Sequence, residues 1–152
     1  MSADDWDVEV RPFLTPLFAY GAAAIIIAAH VAVGVLLKAA STGVLFTTAD
    51  QVGIAALGLV IGGFVSLFAR PRLRVGPPGV AVRNLFGYRL IPWNEVVDIS
   101  FHPGARWARV DLPDDEYVPV MAIQAVDRKR AVESMDTVRA LVDRYRVNGN
   151  RR

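Results

Sequence analysis

The sequence predicts a transmembrane hairpin of two helices followed by a mainly β domain, a bent antiparallel sheet of six or seven short strands closed by an amphipathic C-terminal helix. Three observations carry this. Two long runs are free of charge, the hydrophobic period turns strand-like after residue 70, and it turns helical again after Asp127.

Residues 1–12, MSADDWDVEVRP, read as an acidic tail, with Asp4, Asp5, Asp7 and Glu9 against Arg11. A cleavable signal peptide needs a basic leader, so the first apolar run is expected to stay in the mature protein. That run, Phe13 to Leu37, contains no Asp, Glu, Lys or Arg, and neither does the run from Gln51 to Ala69. At about 1.5 Å per residue, each is long enough as a helix to cross a hydrocarbon core of about 30 Å. The expected hairpin occupies residues 13–69, with helices at about 13–37 and 51–69. Thr48 and Gln51 have the spacing of a capping box for the second helix. Arg11 and Lys38 are outnumbered by Arg70, Arg72, Arg74, Arg83 and Arg89, which follow the second helix. This excess predicts a two-pass protein of the plasma membrane with both termini cytoplasmic.

Within the hairpin, Ala24, Ala28 and Ala32 recur every fourth residue, and Gly58 and Gly62 form a GxxxG. Small residues so spaced let helices approach closely in lipid. They are the expected packing residues, either within the hairpin or toward a partner's helices. His30 lies deep in the first helix, where an ionisable group is a functional candidate. Neither run offers a second acid or His for a proton relay, so a neutral, hydrogen-bonded His is expected.

From Leu73 the segments LRV, GVAVRNL, FGYRLIPW, VVDISFH, ARWARVDL and EYVPVMAI alternate as strands, with GPPG, HPG and PDD as turns. Asp127 is placed to cap a final helix whose apolar face is Ala131, Met135, Val138, Val142 and Tyr145. The β domain is expected over 70–147, with a basic tail at 148–152. The run GVAVRNLFGYRLIPWNEVVDISFH, followed by WARVDL, resembles the bacterial PH-like (pleckstrin homology) domains of the actinobacterial low molecular weight protein antigen 6 type. In these small membrane proteins a hydrophobic hairpin precedes the PH unit. The resemblance spans roughly residues 70–145. It implies a PH-like fold with Trp93 structural, and says little of activity.

Catalytic patterns are missing. There is no cysteine, no GxGxxG, Walker loop or GxSxG, and His102 stands in a turn without partners for a metal set. Asp114, Asp115 and Glu116 fall where a solvated hairpin turn is expected. No enzyme activity, cofactor or metal is therefore expected. Residues 70–152 hold 15 basic against 10 acidic residues without an aromatic platform, which argues against nucleic acid.

Two candidate surfaces are left. Arg70, Arg72, Arg74, Arg83 and Arg89 are lipid-phosphate candidates, although Arg83 is followed by Asn84 and Leu85 rather than completing the basic-x-basic triplet of inositide-binding PH domains. Arg106, Trp107 and Arg109 are candidates for protein contact. The leading expectation is a non-catalytic accessory or scaffolding subunit of a membrane protein complex, or a homo-oligomer, with a sheet edge open to a partner strand. The alternative is a protein that binds anionic phospholipid at the inner leaflet.

Overall fold

The computed structural model describes residues 6–39 and 46–149. Residues 1–5 of the expected acidic tail, with Asp4 and Asp5, 40–45 of the helix connection and 150–152 of the expected basic tail lie outside the described residues. The chain divides into two units. One is a helix pair, Thr15–Ala69, and the other joins the segment up to Leu14 with everything from Arg70 onward.

The second unit corrects the expected acidic tail. Val8–Val10 forms strand β1 and pairs antiparallel with β2 (Arg72–Gly76), setting Val8 opposite Val75, Glu9 opposite Arg74 and Val10 opposite Leu73. Between them lie helices α1 (Leu14–Ala39) and α2 (Thr48–Ser66), the latter ending in a 3-10 turn at Leu67–Ala69. The alternation in DVEV is too short to signal a strand by itself. The strand forms because Val10 is buried in the domain core and Val8 packs against it. In effect β1 and β2 are a β-hairpin whose connection is the whole helix pair.

The remaining strands are β3 (Gly79–Arg83), β4 (Tyr88–Ile91), β5 (Asp98–Ser100), β6 (Trp107–Asp111) and β7 (Tyr117–Gln124), followed by helix α3 (Lys129–Gly149). They form a four-stranded sheet in the order β1-β2-β3-β4 and a three-stranded sheet in the order β5-β6-β7, all pairs antiparallel. Leu73, Val75, Val80, Val82 and Ile91 from the first sheet meet Ile99, Val110, Val120 and Ile123 from the second. Ala131, Met135, Val138 and Val142 of α3 complete this core, as the helical spacing predicts. The β2–β3 turn requires glycine at position 79, whose φ is +135° and where a Cβ would lie 2.2 Å from the Ile91 carbonyl oxygen.

Three side chains hold the domain together in ways not visible in the periodicity. The Asn84 side-chain amide donates to the Pro119 carbonyl (2.7 Å) and its oxygen accepts from the Met121 N–H (3.1 Å), joining the end of β3 to β7 of the other sheet. Replacing Asn84 by Ala leaves both backbone groups without this partner and is expected to cost about 1–3 kcal/mol, read as a lower urea midpoint at unchanged slope. Trp93 stacks on Tyr145 of α3 at 4.8 Å between centroids and donates its Nε1–H to the Gly76 carbonyl (3.0 Å). The Tyr145 hydroxyl in turn donates to Asp7, just ahead of β1.

The third is Asp127. Expected as the cap of α3, its carboxylate instead accepts from the backbone N–H groups of Phe13 and Leu14, both at 3.0 Å. These are among the unpaired amides at the start of α1, whose first turn contains no acid of its own. The cap thus comes from the far end of the sequence, beyond the reach of a local rule. The capping box of α2 also lies one residue earlier than the Thr48–Gln51 spacing predicts. Thr47 Oγ1 accepts from the Asp50 N–H (3.3 Å) and Asp50 Oδ2 accepts from the Thr47 N–H (2.8 Å), while Thr48 Oγ1 accepts from Lys38 Nζ (3.0 Å). The helix begins at Thr48, so Asp50 and not Gln51 stands at its third position.

Candidate functional site

Alternation along β2 sends Leu73 and Val75 into the core and leaves Arg72 and Arg74 on the outer face of the four-stranded sheet. Register then assembles two rows across that face. Arg72 stands opposite Arg83, which stands opposite Tyr88; Glu9 stands opposite Arg74, then Ala81 and Leu90. Ala81 is the short member among long side chains, and a recess of about 90 Å³ opens over it, lined by Arg72, Arg74, Arg83 and Tyr88. Three of the five expected phosphate ligands therefore converge. Arg89 stands opposite the inward-facing Val82 and so belongs to the other face, and Arg70 precedes the sheet.

Glu9 moderates the charge here. Its carboxylate is 2.6 Å from Arg74 Nε and 3.9 Å from Arg72 Nη1, and also pairs with Arg11. Partial burial works to raise its pKa, but the hydrogen bonds and charges of Arg11 and Arg74 outweigh this and hold the carboxyl below its ordinary value. Three guanidiniums around the recess against this one carboxylate leave the face positive.

On the second sheet, Trp107 and Arg109 point outward, flanking the buried Ala108. Arg109 is engaged within the domain. It pairs with Asp111 (2.6 Å), donates to Ser100 Oγ (3.3 Å), contacts His102 Nε2 (3.0 Å) and lies 5.0 Å over the Tyr117 ring. Of the three expected contact residues, Arg106 and Trp107 stay exposed beside it. Asp114 and Asp115 adopt positive φ in an exposed turn, as expected of the PDDE segment. Among the described residues no cluster of His, Asp or Glu could hold a metal ion.

In the helix pair, the GxxxG of α2 packs against α1. A Cβ at Gly58 would lie 2.6 Å from His30 Cβ, and one at Gly62 would lie 2.8 Å from Ile27 Cγ1 and 3.2 Å from the Ala23 carbonyl oxygen. On α1 the buried line is Ala19, Ala23 and Gly34. Ala24, Ala28 and Ala32 are exposed, which corrects the expectation that they pack within the hairpin and leaves the alternative of a partner's helices. Two stripes of small residues run side by side on α1, about 100° apart, and only the packed pair shows which one is used. His30 Nδ1 lies 2.8 Å from the Ile26 carbonyl oxygen, so the ring donates to its own helix.

A family model described as "Bacterial PH domain" matches residues 70–141. Uncharacterized proteins Mb1452 of Mycobacterium bovis and Rv1417 of Mycobacterium tuberculosis are each 65% identical to the chain over 143 residues, covering 94% of it and 93% of their own length. The chain belongs to the same family as these uncharacterized mycobacterial proteins, and its residues 70–141 match a bacterial PH domain. A second protein of Mycobacterium tuberculosis, uncharacterized protein Rv0010c, is 34% identical over 79 residues, covering 51% of this chain and 56% of its own. No solved structure matches the chain.

The family match begins at residue 70, so β1 lies outside it although the PH-like domain is built on that strand. β1 is also an edge of the four-stranded sheet. Beside it runs a groove of about 400 Å³, lined among others by Glu9, Arg11, Phe13, Arg130, Ser134 and Thr137. Both helices, α1 and α2, are long and apolar enough to cross a membrane, and most of their surface is exposed.

Proposed function

We propose that this PH domain protein, of the low molecular weight protein antigen 6 type, spans the plasma membrane twice and works without catalysis as an accessory or scaffolding subunit. Its partners would be other membrane proteins, or further copies of itself. One observation carries the reading: β1 and β2, paired to each other, stand on either side of the helix pair. A sheet interrupted by its own anchor must leave and re-enter the membrane on one side, which requires an even number of spans. It also leaves only short links between the domain and the helices, so the domain stays close to its membrane neighbours at high effective concentration. The excess of arginine after the second helix supports a cytoplasmic face for the domain. The β1 edge and its groove suit an added strand from a partner, with Arg106 and Trp107 as a second contact patch.

Purification of the tagged full-length protein from its native membrane in mild detergent, followed by mass spectrometry, is expected to return one or more membrane proteins in stoichiometric amount or a defined homo-oligomer. Monomeric protein carrying only lipid would remove the scaffolding reading. The recess formed by Arg72, Arg74 and Arg83 favours a second reading, binding of anionic phospholipid at the inner leaflet.

A further inference from the structure

The four-stranded sheet has two ends, and register identifies what lies at each. Only two residues lie between Ala69, the last residue of the helical segment, and Arg72, which opens β2. Arg72 pairs with Arg83, and Arg83 pairs with Tyr88, so the β3–β4 turn, Asn84 to Gly87, lies at the end of the sheet where the chain passes to α2. The same end receives β1 on its way to α1, since Val10 pairs with Leu73. Two strand spacings of about 4.8 Å separate Tyr88 from Arg72. Three residues of chain, at most about 11 Å, separate Arg72 from the end of the helix. The turn is therefore tethered within reach of the bilayer surface.

Its side chains suit that surface. Phe86 is 76% exposed and Tyr88 60%, large aromatic groups at the tip and the base of a tight turn. Arg83 and Arg89 flank them, and the recess lined by Arg72, Arg74 and Arg83 opens on the face that Tyr88 shares. Aromatic side chains are favoured at the boundary of headgroups and acyl chains, and arginines pair there with phosphate oxygens. Aromatic and arginine side chains also serve protein contacts; what favours lipid for this set is its place at the sheet end from which the chain passes to the two apolar helices.

We propose that the β3–β4 turn is a third membrane contact, in which Phe86 and Tyr88 enter the headgroup region while Arg72, Arg74 and Arg83 hold the phosphate of an anionic phospholipid. The domain then stands on the bilayer through its two helix connections and this turn, which fixes the orientation of β1 and the 400 Å³ groove toward neighbouring proteins. The inference rests on the transmembrane reading of α1 and α2.

The chain contains no cysteine, so single labels can be placed cleanly. A Cβ at Gly87 meets nothing within 4 Å, which makes Gly87→Cys a mild reporter at the turn; Pro77→Cys, in the exposed turn at the opposite end of the sheet, is its control. Full-length protein bearing an environment-sensitive fluorophore at either site is reconstituted into phosphatidylcholine vesicles with and without phosphatidylglycerol. The expected result is quenching by a lipid-borne nitroxide at position 87, several-fold above position 77 and increased by phosphatidylglycerol. Phe86→Asp in the Gly87→Cys background should abolish that quenching, and Arg72→Gln with Arg83→Gln should remove its dependence on phosphatidylglycerol. Aqueous iodide reaching position 87 as readily as position 77, or lipid contact indifferent to phosphatidylglycerol, overturns the inference while leaving the transmembrane reading intact. Protein extracted from the vesicles by alkaline carbonate would overturn both.

Discussion

Residues 70–152, expressed alone, are expected to give an unstable and self-associating domain even though they contain the entire match to the bacterial PH family. Without β1 the core loses Val10 and the packing of Val8, and the clasp from Tyr145 to Asp7 goes with them. Burying an aliphatic side chain of this size contributes about 1.5–3 kcal/mol, so the deletion should cost about 3–5 kcal/mol. That is a large part of the roughly 5–15 kcal/mol that holds an ordinary domain folded. It also bares the edge of β2, whose unpaired backbone groups invite pairing with another chain. The decisive comparison is a soluble variant in which an Asn-Gly turn joins Arg11 to Arg72 and replaces the helix pair. This variant should be monomeric by size-exclusion chromatography and unfold cooperatively in urea at a clearly higher midpoint than the fragment. Equal midpoints and equal monodispersity for the two would show that β1 contributes nothing to the domain.

The second large effect is expected in the helix pair. Gly58→Leu places its first side-chain carbon 2.6 Å from His30 Cβ, a contact that neither backbone can relieve without separating. Overpacking of this kind typically costs about 1–3 kcal/mol and more where the neighbour is fixed. In lipid no hydrophobic drive compensates, because close packing itself is what holds the helices together. The expected outcome is loss of the α1–α2 contact, read as loss of a disulfide cross-link between cysteines introduced at Gly34 and Gln51, which face each other across the pair, in the otherwise cysteine-free chain. Gly63→Leu is the control, since a Cβ there meets nothing within 4 Å, and its cross-linking should match the parent. A Gly58→Leu variant that cross-links as well as the control would mean that this glycine faces elsewhere, for example a partner's helix.

The elements themselves were legible in the sequence because each is set by a local period. Two uncharged runs, strand-like alternation after residue 70 and an apolar helical face ending at Tyr145 specify a helix pair and a β domain closed by a helix. Composition was sufficient to anticipate the arginine ladder, and alternation to put Arg72 and Arg74 on one face. What only the tertiary structure decided are pairings between residues distant in the chain. β1 is a strand because Leu73 and Val75 lie beside it, the cap of α1 is Asp127 from the other end of the sequence, and Asn84 matters because Pro119 and Met121 come within its reach. Likewise Ala19, Ala23 and Gly34, not Ala24, Ala28 and Ala32, are buried on α1, since both stripes are equally small and the choice rests on where Gly58 and Gly62 find a complementary surface. The recess over Ala81 has the same origin: a periodic pattern tells which way each side chain points, but the register between strands decides which of them meet.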